Sequence, residues 1–175
     1  MGMKGREIVE KAGINVEELV TLLNKAYSDE WLAYYQYWVG AQVVCGPMAG
    51  VLAPELLEHA QEELDHAKKL SKRIIELGGM PVLSPEDWYK ESTCGYLVPR
   101  DPDAKTLLKQ NIKGERCAIE VYNKLLQMVR GRDSITAKLI REILEEEVEH
   151  EQDLEDIGYN FLGSTLEPTS CGCNK

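Results

Sequence analysis

The sequence has little that would suit a membrane, a secreted scaffold or a nucleic acid. No apolar run is long enough to span a bilayer, and residues 1–10 lack the apolar core of a secretory signal. The net charge of −10 disfavours nonspecific binding to nucleic acid or to an anionic membrane surface. We therefore expect a cytoplasmic protein without a membrane partner.

The cysteines are few and odd in number. There are five, at Cys45, Cys94, Cys117, Cys171 and Cys173. An odd count in a chain without a secretory signal does not indicate a disulfide scaffold, so redox and metal-binding roles stay open. Cys45 is expected to pack at a helix end.

Strand-like alternation is also missing, and helical spacing is present throughout. The 175 residues are 43% hydrophobic, enough for one domain with a real core. Apolar side chains recur at steps of three and four, which is the spacing of one helix face. This pattern predicts a short helix over 4–12 and four long helices over 16–45, 54–77, 102–130 and 134–162.

Capping residues support these boundaries. Asn15 is expected to cap the first long helix with Glu18 as its partner, and Asp133 to cap the fourth. Pro54 and Pro102 are placed in the first turns of the second and third helices. A further short helix is predicted near Trp88.

The connections predict the topology. The first and third links are short, so each joins antiparallel neighbours. The second link exceeds 20 residues and can run the length of a bundle, which makes the third helix parallel to the second. The predicted fold is an all-α four-helix bundle over 15–162 with one long crossover, between a segment at 1–14 and a flexible tail at 163–175.

Each long apolar stripe contains one glutamate near its middle: Glu30, Glu63, Glu115 and Glu147. In the second and fourth helices a histidine follows three residues later, as His66 and His150, on the same helix face. The chain thus contains two copies of one unit, a helix with Glu followed by a helix with Glu-x-x-His. Ionisable groups in an apolar stripe cost several kcal/mol unless they are paired or bind a metal.

Folding the two copies together would gather four carboxylates and two imidazoles at mid-height. Such a mixed set suits a pair of Fe(II) or Mn(II) ions, with carboxylates between the metals offsetting their repulsion. The alternative is a set of surface or ion-paired glutamates in an acidic bundle. In the glutamate-rich fourth helix, only Glu147 and the borderline Glu151 fit the apolar stripe.

These residues resemble the ferritin-like superfamily over 15–162, and the ligand set looks like that of bacterioferritin. The resemblance implies two iron ions per subunit, with Mn or Zn as possible occupants. Tyr37 and Tyr122 lie two turns after Glu30 and Glu115, where they could hydrogen-bond ligand carboxylates or donate an electron. Packing as core tyrosines is the alternative.

Two departures narrow the resemblance. Bacterioferritin's haem-ligating methionine is replaced by Leu64, so no haem is expected. Rubrerythrin's second glutamate on the third helix is replaced by Ala118, and the paired Cys-x-x-Cys motifs of a rubredoxin domain are missing from this sequence.

Cys94 and Cys117 are arranged as in the Dps-like thioferritins. That resemblance implies Fe(II) oxidation by hydrogen peroxide or dioxygen, storage of Fe(III) in a hollow dodecamer and protection against oxidative stress. We expect the two cysteines to form a redox-active pair; two buried thiols are the alternative. DNA binding is disfavoured, since Lys4 and Arg6 are offset by acidic neighbours.

Two other classes remain open. One is a stand-alone dinuclear enzyme, such as a rubrerythrin-like peroxidase or a manganese catalase, without storage. The other is a bundle with no metal chemistry. The third histidine, His59, shares the face of His66 but breaks the repeat, so it is expected at the bundle edge or an interface. Cys171 and Cys173 could bind metal or exchange disulfides.

Overall fold

The computed structural model describes residues 3–162 and confirms the all-α prediction. Within that range there are six helices and no strand. Their bounds are α1 Met3–Lys11, α2 Val16–Val43, α3 Ala49–Glu76, α4 Pro85–Glu91, α5 Ala104–Val129 and α6 Ser134–Leu162. Cys171 and Cys173, together with the predicted tail at 163–175, lie outside the described residues.

Side-chain caps start three of the long helices. Asn15 Oδ1 accepts from the backbone N–H of Glu18 at 3.2 Å, as predicted, and Asp133 Oδ1 accepts from the N–H of Thr136 at 3.1 Å. The prediction that Pro102 opens the third long helix is wrong. Asp103 is the cap of α5, because its carboxylate can accept from the free N–H groups of the first turn.

The link between α2 and α3 is shorter than predicted. Helix α3 begins at Ala49, so Pro54 lies inside it and not in its first turn. Pro54 has no N–H to donate to the carbonyl of Gly50. Gly50 is exposed, so water can donate to that carbonyl instead. Helix α2 ends at Val43, and Cys45 is exposed instead of packed at a helix end.

Residue pairs along the helices give the topology. Helices α2 and α5 are antiparallel, since Gln36 bonds Asn111 at one level and Glu30 accepts from Tyr122 at another. Helices α2 and α3 are also antiparallel, because Gly40 lies beside Leu56 and the earlier Glu30 lies beside the later His66. Helix α5 is therefore parallel to α3, as the long crossover predicted.

The core is divided into two apolar clusters. One cluster contains the beginning of α2, the end of α3, the end of α5 and the beginning of α6. The other contains the opposite ends of the same helices. Phe161, near the end of α6, is 50% exposed and lies outside both clusters. The stripe glutamates occupy the layer between the clusters.

The crossover packs against α2. Trp88 in α4 stacks on Trp31 in α2, with ring centroids 4.9 Å apart. The buried carboxylate of Asp29 accepts from the backbone N–H groups of Thr93 and Cys94 at 2.9 and 2.8 Å. The crossover is thereby tied to the helix turn that also carries Glu30.

Among the helices described over residues 3–162, none combines the length and the apolar character that a membrane span requires.

Candidate dinuclear metal centre

Six side chains from the four long helices meet in the layer between the apolar clusters. They form two groups of four whose potential ligand atoms lie within 4.8 Å of one another: Glu30, Glu63, His66 and Glu147, and Glu63, Glu115, Glu147 and His150. All six are at most 3% exposed. Glu63 and Glu147 belong to both groups, which is the arrangement expected of carboxylates that bridge two cations.

The two imidazoles point the same nitrogen into the centre. His66 Nδ1 lies 3.2 Å from Glu30 Oε2, 3.3 Å from Glu63 Oε2 and 3.2 Å from Glu147 Oε1. His150 Nδ1 lies 3.5 Å from Glu63 Oε1 and 3.7 Å from oxygens of Glu115 and Glu147. The Nδ1 atoms are therefore the nitrogen ligands that the geometry offers.

The other imidazole nitrogens contact a second pair of carboxylates. His66 Nε2 lies 2.6 Å from Glu146 Oε2, and His150 Nε2 lies 2.7 Å from Glu62 Oε2. Such an outer carboxylate accepts the Nε2 proton and so leaves Nδ1 free for a metal. Glu62 and Glu146 were not predicted from the sequence, although their position directly before Glu63 and Glu147 in both copies of the repeat was a usable signal.

Replacing an outer carboxylate should weaken metal binding without removing a ligand. We expect Glu62→Gln or Glu146→Gln to reduce metal affinity by about 10- to 100-fold, because the imidazole loses its orienting acceptor. Titration calorimetry with Zn(II) measures the change. Glu145→Gln, at an exposed neighbouring position, is the matched control. Equal affinities in all three variants would contradict this role.

Each of the two tyrosines donates a hydrogen bond to a glutamate that belongs to only one of the two four-residue groups. Tyr37 donates to Glu115 Oε1 and Tyr122 donates to Glu30 Oε1, and both rings are 1% exposed. Each tyrosine thus fixes the glutamate of the opposite copy of the repeat. Burial and the negative charge of the bonded glutamate raise the pKa of both phenols well above 10.

Protons compensate the buried charge when no metal is bound. Burial raises the pKa of Glu30, and repulsion from Glu63 raises it further; burial and repulsion from Glu147 raise the pKa of Glu115. Burial alone would lower the pKa of His66 and His150. The neighbouring carboxylates stabilise the protonated rings, Glu146 foremost at His66 and Glu115 foremost at His150, and they raise both pKa values well above 6.5.

Several polar atoms in the centre have no hydrogen-bond partner within the described residues. They are Glu115 Oε2, both carboxylate oxygens of Glu147 and His150 Nδ1. Buried polar atoms are normally paired, and unpaired ones indicate a missing ion or water. The donor set of oxygens and imidazole nitrogens fits first-row divalent cations. The residues present therefore fit two such ions.

A cavity of about 140 Å³ reaches the centre from the side of the crossover. Its walls include the ligand glutamates and Cys94 and Cys117, which are joined in a disulfide with Cα atoms 5.7 Å apart. The backbone at Cys94 is held by Asp29, next to the ligand Glu30. The disulfide thus forms part of the wall of the cavity that reaches the candidate ligands.

His59 does not lie at the bundle edge, so that expectation was wrong. It is 1% exposed, and its ring stacks on the ring of His150 with centroids 4.1 Å apart. Tyr37 contacts the ring edge-on at 5.3 Å. The seven-residue spacing from His66 placed it correctly on the inner helix face.

Comparisons with known proteins agree with this architecture. A family model described as a ferritin-like domain matches residues 20–160. A DNA protection during starvation protein from Pyrococcus furiosus is 36% identical over 155 residues, covering 87% of this chain and 83% of that protein. A bacterioferritin from Desulfovibrio desulfuricans is 30% identical over 151 residues, covering 85% and 79% respectively.

A solved structure extends the comparison to three dimensions. A dodecameric thioferritin from Bacteroides fragilis, described as a bacterioferritin-related protein, is 44% identical. The two structures agree with a TM-score of 0.90 over 91% of this chain and 95% of that one. The protein therefore belongs to the ferritin-like family and is close to a Dps and to a bacterioferritin-related thioferritin.

Proposed function

We propose that the protein is a ferroxidase that oxidises Fe(II) with hydrogen peroxide or dioxygen and stores the Fe(III) product. The observation that carries the proposal is the pair of four-ligand groups that share Glu63 and Glu147. A centre of this kind holds two substrate ions at once. Ferroxidase activity is general among ferritin-like proteins with dinuclear carboxylate sites, which supports the same reading.

The reaction balances when two Fe(II) ions react together. Each ion gives up one electron, and one hydrogen peroxide takes two electrons and two protons to form two water molecules. Because both electrons come from one centre, peroxide is not left at the one-electron stage that yields hydroxyl radical. Four carboxylates stabilise the added positive charge of Fe(III).

The protein's own residues keep the ligands in place during this chemistry. Tyr37 and Tyr122 hold one oxygen of Glu115 and of Glu30, and so leave the second oxygen of each for the ion. Glu62 and Glu146 accept the Nε2 protons of the two histidines. In the proposed mechanism these four residues hold the ligand side chains in position, and the six buried ligands bind the iron ions.

Storage requires a cage, and the thioferritin from Bacteroides fragilis is described as a dodecamer. We propose the same assembly for this chain, with acidic residues favouring cation entry and mineral formation. Light scattering after size exclusion should give the mass of twelve chains of 19.8 kDa. Aerobic loading should then retain far more iron than two ions per chain.

A different mass would support a different function. A monomer or dimer that oxidises iron but releases it would contradict storage and favour a stand-alone dinuclear peroxidase or catalase. Glu147→Gln serves as the control for nonspecific iron, because iron retained equally by that variant does not pass through the centre.

We further propose that the Cys94–Cys117 disulfide is a redox pair that supplies or accepts two electrons beside the centre. Its position in the cavity wall with the ligand glutamates supports this role. Reduction would break the S–S bond and produce two thiols, taking up two electrons and two protons.

Alkylation followed by mass spectrometry tests the pair. In the air-exposed native protein we expect Cys94 and Cys117 to be blocked and Cys45, which is exposed, to be alkylated. After reductant and brief exposure to peroxide in the iron-loaded protein, the pair should re-form faster than in Glu147→Gln. Free thiols at both positions in the native protein would contradict the proposal.

DNA binding is not part of the proposed function. Lys4 bonds Glu7 at 3.2 Å, and Arg6 bonds Glu10, Glu17 and the carbonyl of Leu77. Lys4 and Arg6 are therefore engaged in ion pairs, and they offer little charge for phosphate contacts.

A further inference from the structure

A third group of metal-ligand side chains lies beside the dinuclear centre. It consists of Glu55 and His59 on α3 and Asp153 on α6, with potential ligand atoms within 4.8 Å of one another. None of the three belongs to the dinuclear ligand set. His59 lies one helix turn before Glu62, and Asp153 lies one helix turn after His150.

His59 is the buried member of this group, and one of its two ring nitrogens lacks a hydrogen bond. Its Nδ1 has no partner among the described residues, and Nε2 lies 3.3 Å from Glu55 Oε1. A buried imidazole without a partner is costly, so a further ligand or ion is expected at this position. The contacts with His150 and Tyr37 fix the ring plane and hold its nitrogen toward Glu55.

The surroundings of His59 are strongly acidic. A cavity of about 170 Å³ is lined by six carboxylates and two histidines: Glu55, Glu58, Glu62, Glu146, Glu149, Asp153, His59 and His150. Neither Glu55 nor Asp153 forms an ion pair with a lysine or arginine of the described chain. Carboxylates gathered without a basic partner favour a cation.

We propose that Glu55, His59 and Asp153 bind a third divalent cation, separate from the dinuclear pair. One imidazole nitrogen and two carboxylates suit Fe(II), Mn(II) or Zn(II), with water in the remaining positions. Ligand atoms about 2.1 Å from a shared ion lie roughly 3–4 Å apart. The partly exposed Glu55 and the exposed Asp153 need only small rotations to reach that geometry.

The third site goes beyond the proposed function, because it binds a cation whether or not iron is oxidised. The acidic cavity joins Glu55 and Asp153 to Glu62 and His150, so the third cation lies beside the outer layer of the dinuclear centre.

Zinc binding to the full chain tests the proposal without redox chemistry. Crystals of metal-free protein equilibrated with Zn(II) should give three anomalous peaks per chain, one of them between Glu55, His59 and Asp153. Glu55→Gln and Asp153→Asn should each lose that peak and keep the other two. In calorimetry, the third class of Zn(II) sites should weaken by tenfold or more in these variants.

Glu58→Gln is the matched control, since it removes one exposed carboxylate from the same cavity without touching the three ligands. It should keep all three peaks. Two peaks in the wild type would overturn the third site, while leaving the dinuclear assignment intact. A third peak that survives the Glu55→Gln/Asp153→Asn double variant, or that Glu58→Gln removes equally, would also overturn it.

Discussion

Glu147→Gln is expected to abolish binding of the paired metals and to slow Fe(II) oxidation by roughly 100-fold or more. Glu147 belongs to both ligand groups and both of its oxygens lack hydrogen-bond partners, so its charge serves two cations at once. Loss of about 3 kcal/mol of charge stabilisation corresponds to two orders of magnitude in rate. Glutamine keeps the shape and loses the charge.

Thermal unfolding gives this prediction an independent measure. A cation present at 100 times its Kd adds about 2.7 kcal/mol per site, which raises Tm by roughly 5–11 °C for a chain of this length. We expect Zn(II) to produce such a shift for each of the paired sites in the wild type, and in Glu147→Gln only the smaller shift that the third site contributes. Glu145→Gln, which changes an exposed residue two positions earlier, should behave as the wild type. A full shift in Glu147→Gln would contradict the assigned role.

Metal affinity is expected to increase about tenfold per pH unit for each ion, and loading of both ions therefore about 100-fold per unit. Carboxylate hydrogen bonds raise the pKa of His66 and His150, so both imidazoles are protonated at neutral pH in the metal-free protein. A metal must displace those protons. Because a higher pH favours their release, affinity rises with pH.

The raised pKa values of Glu30 and Glu115 act in the same direction and can only add to the slope. Calorimetry in buffers of different ionisation enthalpy counts the protons released. At least two protons per pair of metals are expected between about pH 6 and 8. Affinity that does not change over this range, or fewer than one proton per metal, would contradict protonated imidazoles in the metal-free centre.

Much of the fold and all six proposed metal ligands could be predicted from the sequence. Glu63 and Glu147 stood out because they interrupt apolar stripes, and burial of those stripes confirms the fold. The spacing of apolar residues shows which face of a helix is buried, but it does not show where the helix begins. Helix α3 begins five residues before Pro54, because the exposed backbone near Gly50 can be hydrated.

Contacts between helices were harder to predict. Glu62 and Glu146 occupy positions that resemble ordinary surface glutamates, and only the approach of α3 to α6 brings each to a histidine of the opposite helix. His59 was misplaced for the same reason. Its burial depends on stacking against His150, which comes from another helix.

The layer of buried glutamates lowers the stability of the fold. Leucines at the positions of Glu30 and Glu115 would join the two apolar clusters into one core, and each would contribute about 1.5–3 kcal/mol by burial. Burial and repulsion from Glu63 and Glu147 instead raise the pKa of these two carboxyl groups, so that they require protons or cations. Such a cost is typical of binding sites built inside a core.

In the proposed function, one buried centre oxidises two Fe(II) ions together. The decisive experiment loads the anaerobic protein with Fe(II) and mixes it rapidly with hydrogen peroxide. We expect a fast phase that oxidises two Fe(II) per chain, consumes one peroxide for every two ions and produces no spin-trapped hydroxyl radical. This phase should be lost in Glu147→Gln. A fast phase that survives in Glu147→Gln, or one peroxide consumed per Fe(II) with radical formation, would contradict it.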